Sequence, residues 1–117
     1  MGYAVKLQNS GATFDLVPDN KIARFSSYSF MYQDIPTSSS TGISMAVTYI
    51  AVKCKDIDYY HNNNNGTAPS CYYIDKDYNI TGAASGYNNN LQINKSYLYF
   101  TAACAASNTR PNAVWFT

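Results

Sequence analysis

The stretch "ISMAVTYIAVKCKDI" (residues 43–57) is the longest apolar-rich run of the chain and decides its fold class. Apolar and β-branched residues fall on odd and even positions alike, which predicts a central strand covered on both faces in its middle. The neighbouring segments "YAVKLQ" (3–8) and "IARFSSYSFMYQDI" (22–35) alternate along the chain in the way that is typical of half-buried strands. The chain is therefore built from sheets.

The composition also favours a fold made of strands. Among 117 residues there are twelve Tyr but only four Leu, and all seven acidic residues are Asp. Strong helix formers are scarce, and residues that suit sheets and turns replace them. Turn signals at intervals of about ten residues predict roughly seven to nine short strands in one domain over 1–117. We expect an all-β fold, a single antiparallel β-sandwich of the jelly-roll or immunoglobulin-like kind.

The other segments divide into short strands and polar loops. A hairpin is expected within residues 3–17, and the stretches 58–70 and 82–90 are expected to be loops. In the last strand we expect Trp115 to be largely buried and Val114 or Phe116 to face the other side. The remaining expected strands are "CYYI" (71–74), "LQI" (91–93), "SYLYFTAACA" (96–105) and "AVWFT" (113–117).

The charge balance excludes two classes of partner. Eight basic residues stand against seven acidic ones, for a formal net charge of +1. Nucleic acids and anionic membranes reward clustered Lys and Arg, so we expect neither nucleic-acid binding nor membrane insertion. The opening "MGYAVKLQNSGATF" (1–14) lacks the apolar centre of a signal peptide. We expect a protein that is used without secretion, or one whose leader has been removed.

One segment resembles the start of a calcium loop. Asp75, Asp77 and Asn79 place oxygen-bearing side chains at alternate positions, as an EF-hand does. An EF-hand also needs Gly at its sixth position and Glu at its twelfth, where this chain has Ile80 and Gly86. We interpret the segment as a hairpin tip, because Asp and Asn favour turns. A weak calcium site is the alternative, and no cofactor is expected.

The cysteines and the single histidine do not form a catalytic or zinc-binding pattern. His61 stands in an Asn run at an expected loop tip, and the chain has no CxxC spacing. We therefore expect no enzymatic activity. Cys54 and Cys71 lie symmetrically about the Asn run, so a disulfide could join them if their strands formed a hairpin. Free, buried thiols are the alternative.

The two expected loops contain the residue types of binding surfaces, as in "DYYHNNNNG" (58–66) and "ASGYNNN" (84–90). Tyr offers rigid amphipathic area, Asn and Ser add adaptable hydrogen bonds, and both suit a host-surface glycan or protein. An AT-rich genome is the alternative source of this composition, although the scarcity of Lys argues against it as the whole cause. The predicted binding residues are Tyr59, Tyr60, His61, Asn62, Asn63, Tyr87, Asn88 and Asn89.

A chain of low charge whose opening, "MGYAVKLQNSGATFDLV" (1–17), leads directly into a hairpin resembles the small all-β virion proteins of tailed bacteriophages. These include fibre-tip, head-decoration and tail-associated domains, and the resemblance covers the N-terminal third and the composition. It implies a β-sandwich, made in the host cytoplasm and carried in the virion, that forms a homo-oligomer or joins other virion proteins. No residue role follows from it. The alternative is an extracellular carbohydrate-binding module of a secreted bacterial protein.

Overall fold

The computed structural model describes residues 17–25, 30–44, 49–62, 70–76, 79–84, 90–103 and 113–117. Within these ranges the chain forms ten strands and two short 3-10 turns, at Ser39–Thr41 and Cys54–Asp56. None of the helical segments in these ranges has the length and apolar character needed to cross a membrane. The strands are β1 (Lys21–Phe25), β2 (Phe30–Asp34), β3 (Ile43–Ser44), β4 (Tyr49–Lys53), β5 (Tyr59–Asn62), β6 (Ser70–Ile74), β7 (Ile80–Ala84), β8 (Leu91–Gln92), β9 (Tyr99–Ala103) and β10 (Ala113–Phe116).

The strands form two antiparallel sheets that pack face to face. The larger sheet has the order β2-β1-β4-β9-β6-β7, and the smaller one has the order β3-β10-β5-β8. Every described pair is antiparallel. The predicted all-β antiparallel sandwich is therefore confirmed.

Three aromatic side chains join the two sheets at the centre of the core. Phe100 comes from β9 of the larger sheet, and its ring centroid lies 5.0 Å from Tyr60 on β5 and 6.0 Å from Phe116 on β10. Tyr60 and Phe116 lie 5.8 Å apart, and all three side chains are buried. Aromatic burial of this size dominates core energetics, so these rings hold the sandwich together.

The larger sheet is covered on its outer face as well. In β4, Ile50 and Val52 enter the core between the sheets, whereas Ala51 faces outward and is equally buried. The prediction of a central strand covered on both faces is confirmed for Tyr49–Lys53, since β4 lies between β1 and β9. The outer cluster comprises Val17, Ala23, Ala51, Ile74 and Tyr99.

Several boundaries differ from the expectation. The alternating run 22–35 forms two paired strands, β1 and β2, rather than one. In the run 43–57, Ile43–Ser44 belongs to the smaller sheet and only the later part forms β4. The stretches 58–70 and 82–90 contain strand residues, Tyr59–Asn62 and the end of β7. Most of the hairpin expected at 3–17 lies outside the described residues.

The C-terminal strand is paired as expected, and Val114 and Phe116 face the side opposite Trp115, but it is these two residues that fill the core. β10 lies between β3 and β5. Val114 and Phe116 are buried in the core, while Trp115 faces outward and is only partly buried. The expected burial of Trp115 is met only in part, because residues of both parities in "AVWFT" are apolar and alternation alone could not fix the inward face.

Hydrogen bonds and ion pairs join the turn before β1 to the end of β4 and to the 3-10 turn that follows it. Asp19 accepts hydrogen bonds from Lys53 Nζ at 2.8 Å and from Lys55 Nζ at 2.9 Å. These two cations lower the pKa of Asp19 to about 2. Asn20, with φ of 62°, donates its backbone N–H to the Asp56 carboxylate at 2.8 Å. The turn before β1 is thus held by charge-assisted hydrogen bonds.

Candidate functional site

Three aromatic side chains lie in a row on the outer face of the smaller sheet. His61 on β5 is paired with Trp115 on β10, and their rings stack with centroids 5.5 Å apart and planes at 16°. Tyr59, two positions before His61, stacks on its ring at 6.3 Å and 29°. Side chains stand roughly perpendicular to a sheet, so stacked rings expose mainly their edges, with free faces at the ends of the stack. We call Tyr59, His61 and Trp115 the aromatic row.

The backbone beneath the aromatic row is held on both sides. Thr117 donates its N–H to the Tyr59 carbonyl at 3.1 Å and accepts the Tyr59 N–H at 3.2 Å. On the other side Tyr59 is paired with Gln92 of β8. The hydroxyl of Thr117 lies 2.8 Å from Nε2 of His61, within hydrogen-bond distance, and so fixes the ring. Side chains on a strand paired this way are preorganised for binding.

A groove opens beside the aromatic row at Tyr59. Its volume is about 780 Å³, within the range of small-molecule sites. Nζ of Lys95 lies 2.6 Å from Oδ1 of Asp58, and both side chains remain about half exposed or more. Tyr59 therefore belongs both to the aromatic row and to the wall of the groove. The lining residues are Asp58, Tyr59, Gln92, Ile93, Asn94 and Lys95.

The turn after β8, which forms one wall of the groove, is anchored to the core. Oδ1 of Asn94 accepts hydrogen bonds from the N–H of Ser96 at 3.0 Å and from its hydroxyl at 2.6 Å. The N–H of Asn94 donates to the hydroxyl oxygen of Tyr73 at 2.9 Å. Burial raises the pKa of Tyr73. The N–H of Ile93 donates to the Asp58 carbonyl at 2.8 Å, so both walls are joined.

The predicted binding residues separate into two groups. Tyr59 and His61 lie on the outer face, as a recognition surface requires. Tyr60 and Asn62 point into the sandwich, with 0% and 3% of their surfaces exposed, because alternate residues of a strand face opposite ways. The expectation that these two bind a surface ligand was wrong. The predicted residues Asn63, Tyr87, Asn88 and Asn89 lie outside the described residues.

The sheet brings the ends of the two predicted loops together. β5 and β8 are antiparallel neighbours, with Tyr60 opposite Leu91. The chain that leaves β5 after Asn62 and the chain that enters β8 at Leu91 therefore lie at the same end of the smaller sheet. Tyr59 and His61 of the aromatic row lie on β5 between this end and the groove, and Trp115 lies beside His61 on β10, so the row belongs to the same sheet.

The segment resembling a calcium loop is a hairpin tip. β6 and β7 pair as an antiparallel hairpin, which confirms the preferred interpretation. The N–H of Asn79 donates to Oδ1 of Asp75 at 3.0 Å, and the N–H of Asp75 donates to the Asn79 carbonyl at 3.1 Å. Asp77 lies outside the described residues. Across the described part of the chain, no three His, Cys, Asp or Glu side chains converge as metal ligands would.

The two cysteines considered for a disulfide are free thiols. Cys54 and Cys71 are buried and unbridged. The strands that precede and contain them, β4 and β6, are separated by β9 and do not form the hairpin that the bridge required. Burial raises the pKa of Cys54 to about 12, so this thiol is not an activated nucleophile.

Three residues of this site, Trp115, Gln92 and Lys95, were not predicted as binding residues. Trp115 shares the outward parity of Tyr59 and His61 only once the pairing of β10 with β5 is known. Gln92, at the end of β8, and Lys95, in the turn that follows, are more than thirty residues from Asp58, and no local pattern connects them with it. No protein-family model, curated protein or solved structure matches this chain. The fold and site therefore define an antiparallel β-sandwich with an outward aromatic row and an adjoining polar groove.

Proposed function

We propose that this chain is a non-enzymatic adhesive module that binds carbohydrate through the aromatic row and the groove. The observation that carries the proposal is the position of Tyr59, which ends the row and lines the groove. The ring face turned away from His61 provides an apolar platform for a sugar ring. The polar groups of the groove provide hydrogen-bond partners for hydroxyl groups, and this combination is typical of small-molecule sites.

Two observations favour binding over catalysis. His61 is the single histidine of the chain, and its ring stacks on both Tyr59 and Trp115. The buried thiol of Cys54, with a pKa of about 12, is protonated at neutral pH. Side chains locked between neighbours suit a fixed recognition surface.

The setting that we propose is a phage particle, in which copies assemble through β7. Among the strands of the described ranges, β7 ends the larger sheet; its sequence "ITGAA" has no charged residue, and 52% of Ile80 is exposed. The other edges have the protection that edge strands need: β2 has the ion pair of Asp34 with Lys21, and β3 and β8 are two residues long. A second copy would extend the larger sheet at β7.

The binding proposal is tested on a glycan array with Tyr59→Ala, Tyr59→Phe and Met31→Ala. Loss of the ring in Tyr59→Ala should lower binding by about tenfold or more, as for a central hot spot. Tyr59→Phe keeps the ring and should keep most of the binding. Met31, 52% exposed on the larger sheet, provides the matched control. Normal binding by a folded Tyr59→Ala variant, or no glycan bound by the wild type, would contradict the proposal.

The assembly proposal is tested by light scattering of the wild type, Ala83→Lys and Met31→Lys. A Lys on an edge strand opposes edge-to-edge pairing, so Ala83→Lys should release monomers. Met31→Lys on the opposite edge should leave the oligomer intact. A wild type that is monomeric at high concentration contradicts assembly. It would favour the alternative, a carbohydrate-binding module of a secreted bacterial protein, for which the aromatic row serves equally well.

A further inference from the structure

The groove presents a positive and a negative group next to each other with no net charge. Among the lining side chains that the structure describes, only Asp58 and Lys95 are charged, and they form an ion pair at 2.6 Å. Their side chains are 64% and 49% exposed. Both groups keep hydrogen-bonding capacity toward the groove, because a carboxylate accepts several hydrogen bonds and an ammonium donates three.

The other polar groups of the groove divide into structural and available ones. The carboxamide oxygen of Asn94 is occupied by Ser96. Gln92 is exposed on the outer face next to Tyr59, and its amide can donate and accept. A ligand that lies against Tyr59 therefore shares the groove with three polar groups. The Asp58 carboxylate only accepts hydrogen bonds, the Lys95 ammonium only donates them, and the Gln92 amide does both.

This set of groups matches the chemistry of adjacent hydroxyls on a sugar ring. Each hydroxyl donates one hydrogen bond and accepts others. One hydroxyl can donate to the Asp58 carboxylate while its neighbour accepts from the Lys95 ammonium, so the ion pair is bridged and neither charge is left without a partner. Such charge-assisted hydrogen bonds are stronger than those between neutral groups.

We infer that the groove binds a neutral pyranose, with its ring on Tyr59 and two adjacent hydroxyls on Asp58 and Lys95. The inference rests on the proposed function and specifies its ligand class. A carboxylate on an acidic sugar could form an ion pair with Lys95 only by competing with the Asp58 carboxylate, and it would then lie beside that negative charge. Repulsion of this kind is how binding sites reject a wrong partner.

The experiment compares the wild type with Asp58→Asn and Lys95→Met on an array of neutral hexose oligosaccharides and their sialylated or uronic-acid counterparts. Neutral glycans should be preferred, and each substitution should weaken their binding about tenfold. Both side chains are exposed, so thermal unfolding should change little and separates lost binding from lost folding. Binding of neutral glycans should also be the same at low and high salt, since only charged ligands are screened.

The contrary results distinguish failure of this inference from failure of the proposed function. Preference for acidic glycans, strengthened by Asp58→Asn and weakened by high salt, overturns the inference but leaves the carbohydrate-binding function standing. Wild-type binding of neutral glycans by both variants overturns the assigned contacts in the same way. Failure of the wild type to bind any glycan on the array overturns the proposed function itself and the inference with it.

Discussion

At Gly82 on β7, a neighbouring ring occupies the space that a side chain would need. A Cβ at this position would lie 2.7 Å from Cζ and from the hydroxyl oxygen of Tyr97. Tyr97 cannot swing away freely, because its ring stacks on Tyr73 with centroids 4.4 Å apart and planes at 10°. Tyr73 is the residue opposite Gly82 in the β6–β7 hairpin. The absence of a side chain at Gly82 thus lets the two rings close over the hairpin.

Gly82→Ala should lower the free energy of unfolding by about 1–3 kcal/mol, the usual effect of overpacking. The measurement is urea denaturation followed by circular dichroism. In the background Tyr97→Ala the same substitution should have little effect, because the clashing ring is gone. Equal losses in both backgrounds would show that contact with Tyr97 is not the cause.

Asp19 gives the protein a pH-dependent contribution to stability at acidic pH. Hydrogen bonds from Lys53 and Lys55 lower its pKa in the folded state from 3.8 to about 2. A carboxylate with a lowered pKa stabilises the fold above its unfolded value and loses this effect as the pH falls to the folded value. Asp19→Asn should therefore lower the Tm slightly at neutral pH, since the group is exposed. Between pH 3.8 and about 2 the difference from the wild type should disappear; a constant difference would contradict the assignment.

At the scale of the strand, the two faces of β10 have different roles. Phe116 is 1% exposed and contacts Tyr60 and Phe100, whereas Trp115 lies half-buried on the aromatic row. Phe116→Ala should destabilise the protein by about 3–5 kcal/mol, because it leaves a cavity in the core. Trp115→Ala should destabilise it less, although it removes the larger ring. Guanidinium unfolding of both variants tests the order, and a larger loss at Trp115 would reverse the assignment of the faces.

The sequence predicted strands well where local pattern and tertiary structure agree. β4 follows from the apolar residues of "YIAVK", and β6 from "CYYI". β5 was missed because its Asn62 disfavours strands locally, while β10 and β8 pair with it on both sides. The end of β7 was assigned to the expected loop 82–90, since "GAA" has no β-forming side chains and depends on pairing with β6. Of the site, Tyr59 and His61 could be predicted from residue type, but the groove depends on long-range pairing.

At the scale of the whole molecule, the proposed assembly edge and the proposed binding surface lie on different sheets. The proposed assembly edge β7 belongs to the larger sheet, and the aromatic row belongs to the smaller one. An oligomer joined through β7 would therefore display several aromatic rows at once. Linked sites raise the apparent affinity for a surface with many ligands by large factors without any new contact.

Ala83→Lys should therefore separate avidity from affinity. Binding to a densely coated glycan surface should fall by at least about a hundredfold as the oligomer dissociates, while binding of the same soluble oligosaccharide should stay unchanged. Surface plasmon resonance on the coated surface and calorimetry in solution measure the two quantities. An equal decrease in both would mean that the substitution damages the site itself, contrary to the separation of the sheets.

The position of β10 in the smaller sheet also sets the order of events on the ribosome. β10 is synthesised after every other described strand, yet it lies between β3 and β5. While it is still inside the exit tunnel, β5 lacks one neighbour, and Tyr60 and Phe100 lack the ring of Phe116. Non-local pairing of this kind folds slowly and exposes apolar surface in the meantime. The nascent chain therefore completes its aromatic row, and the aromatic contacts of its core, only when the last strand emerges from the tunnel.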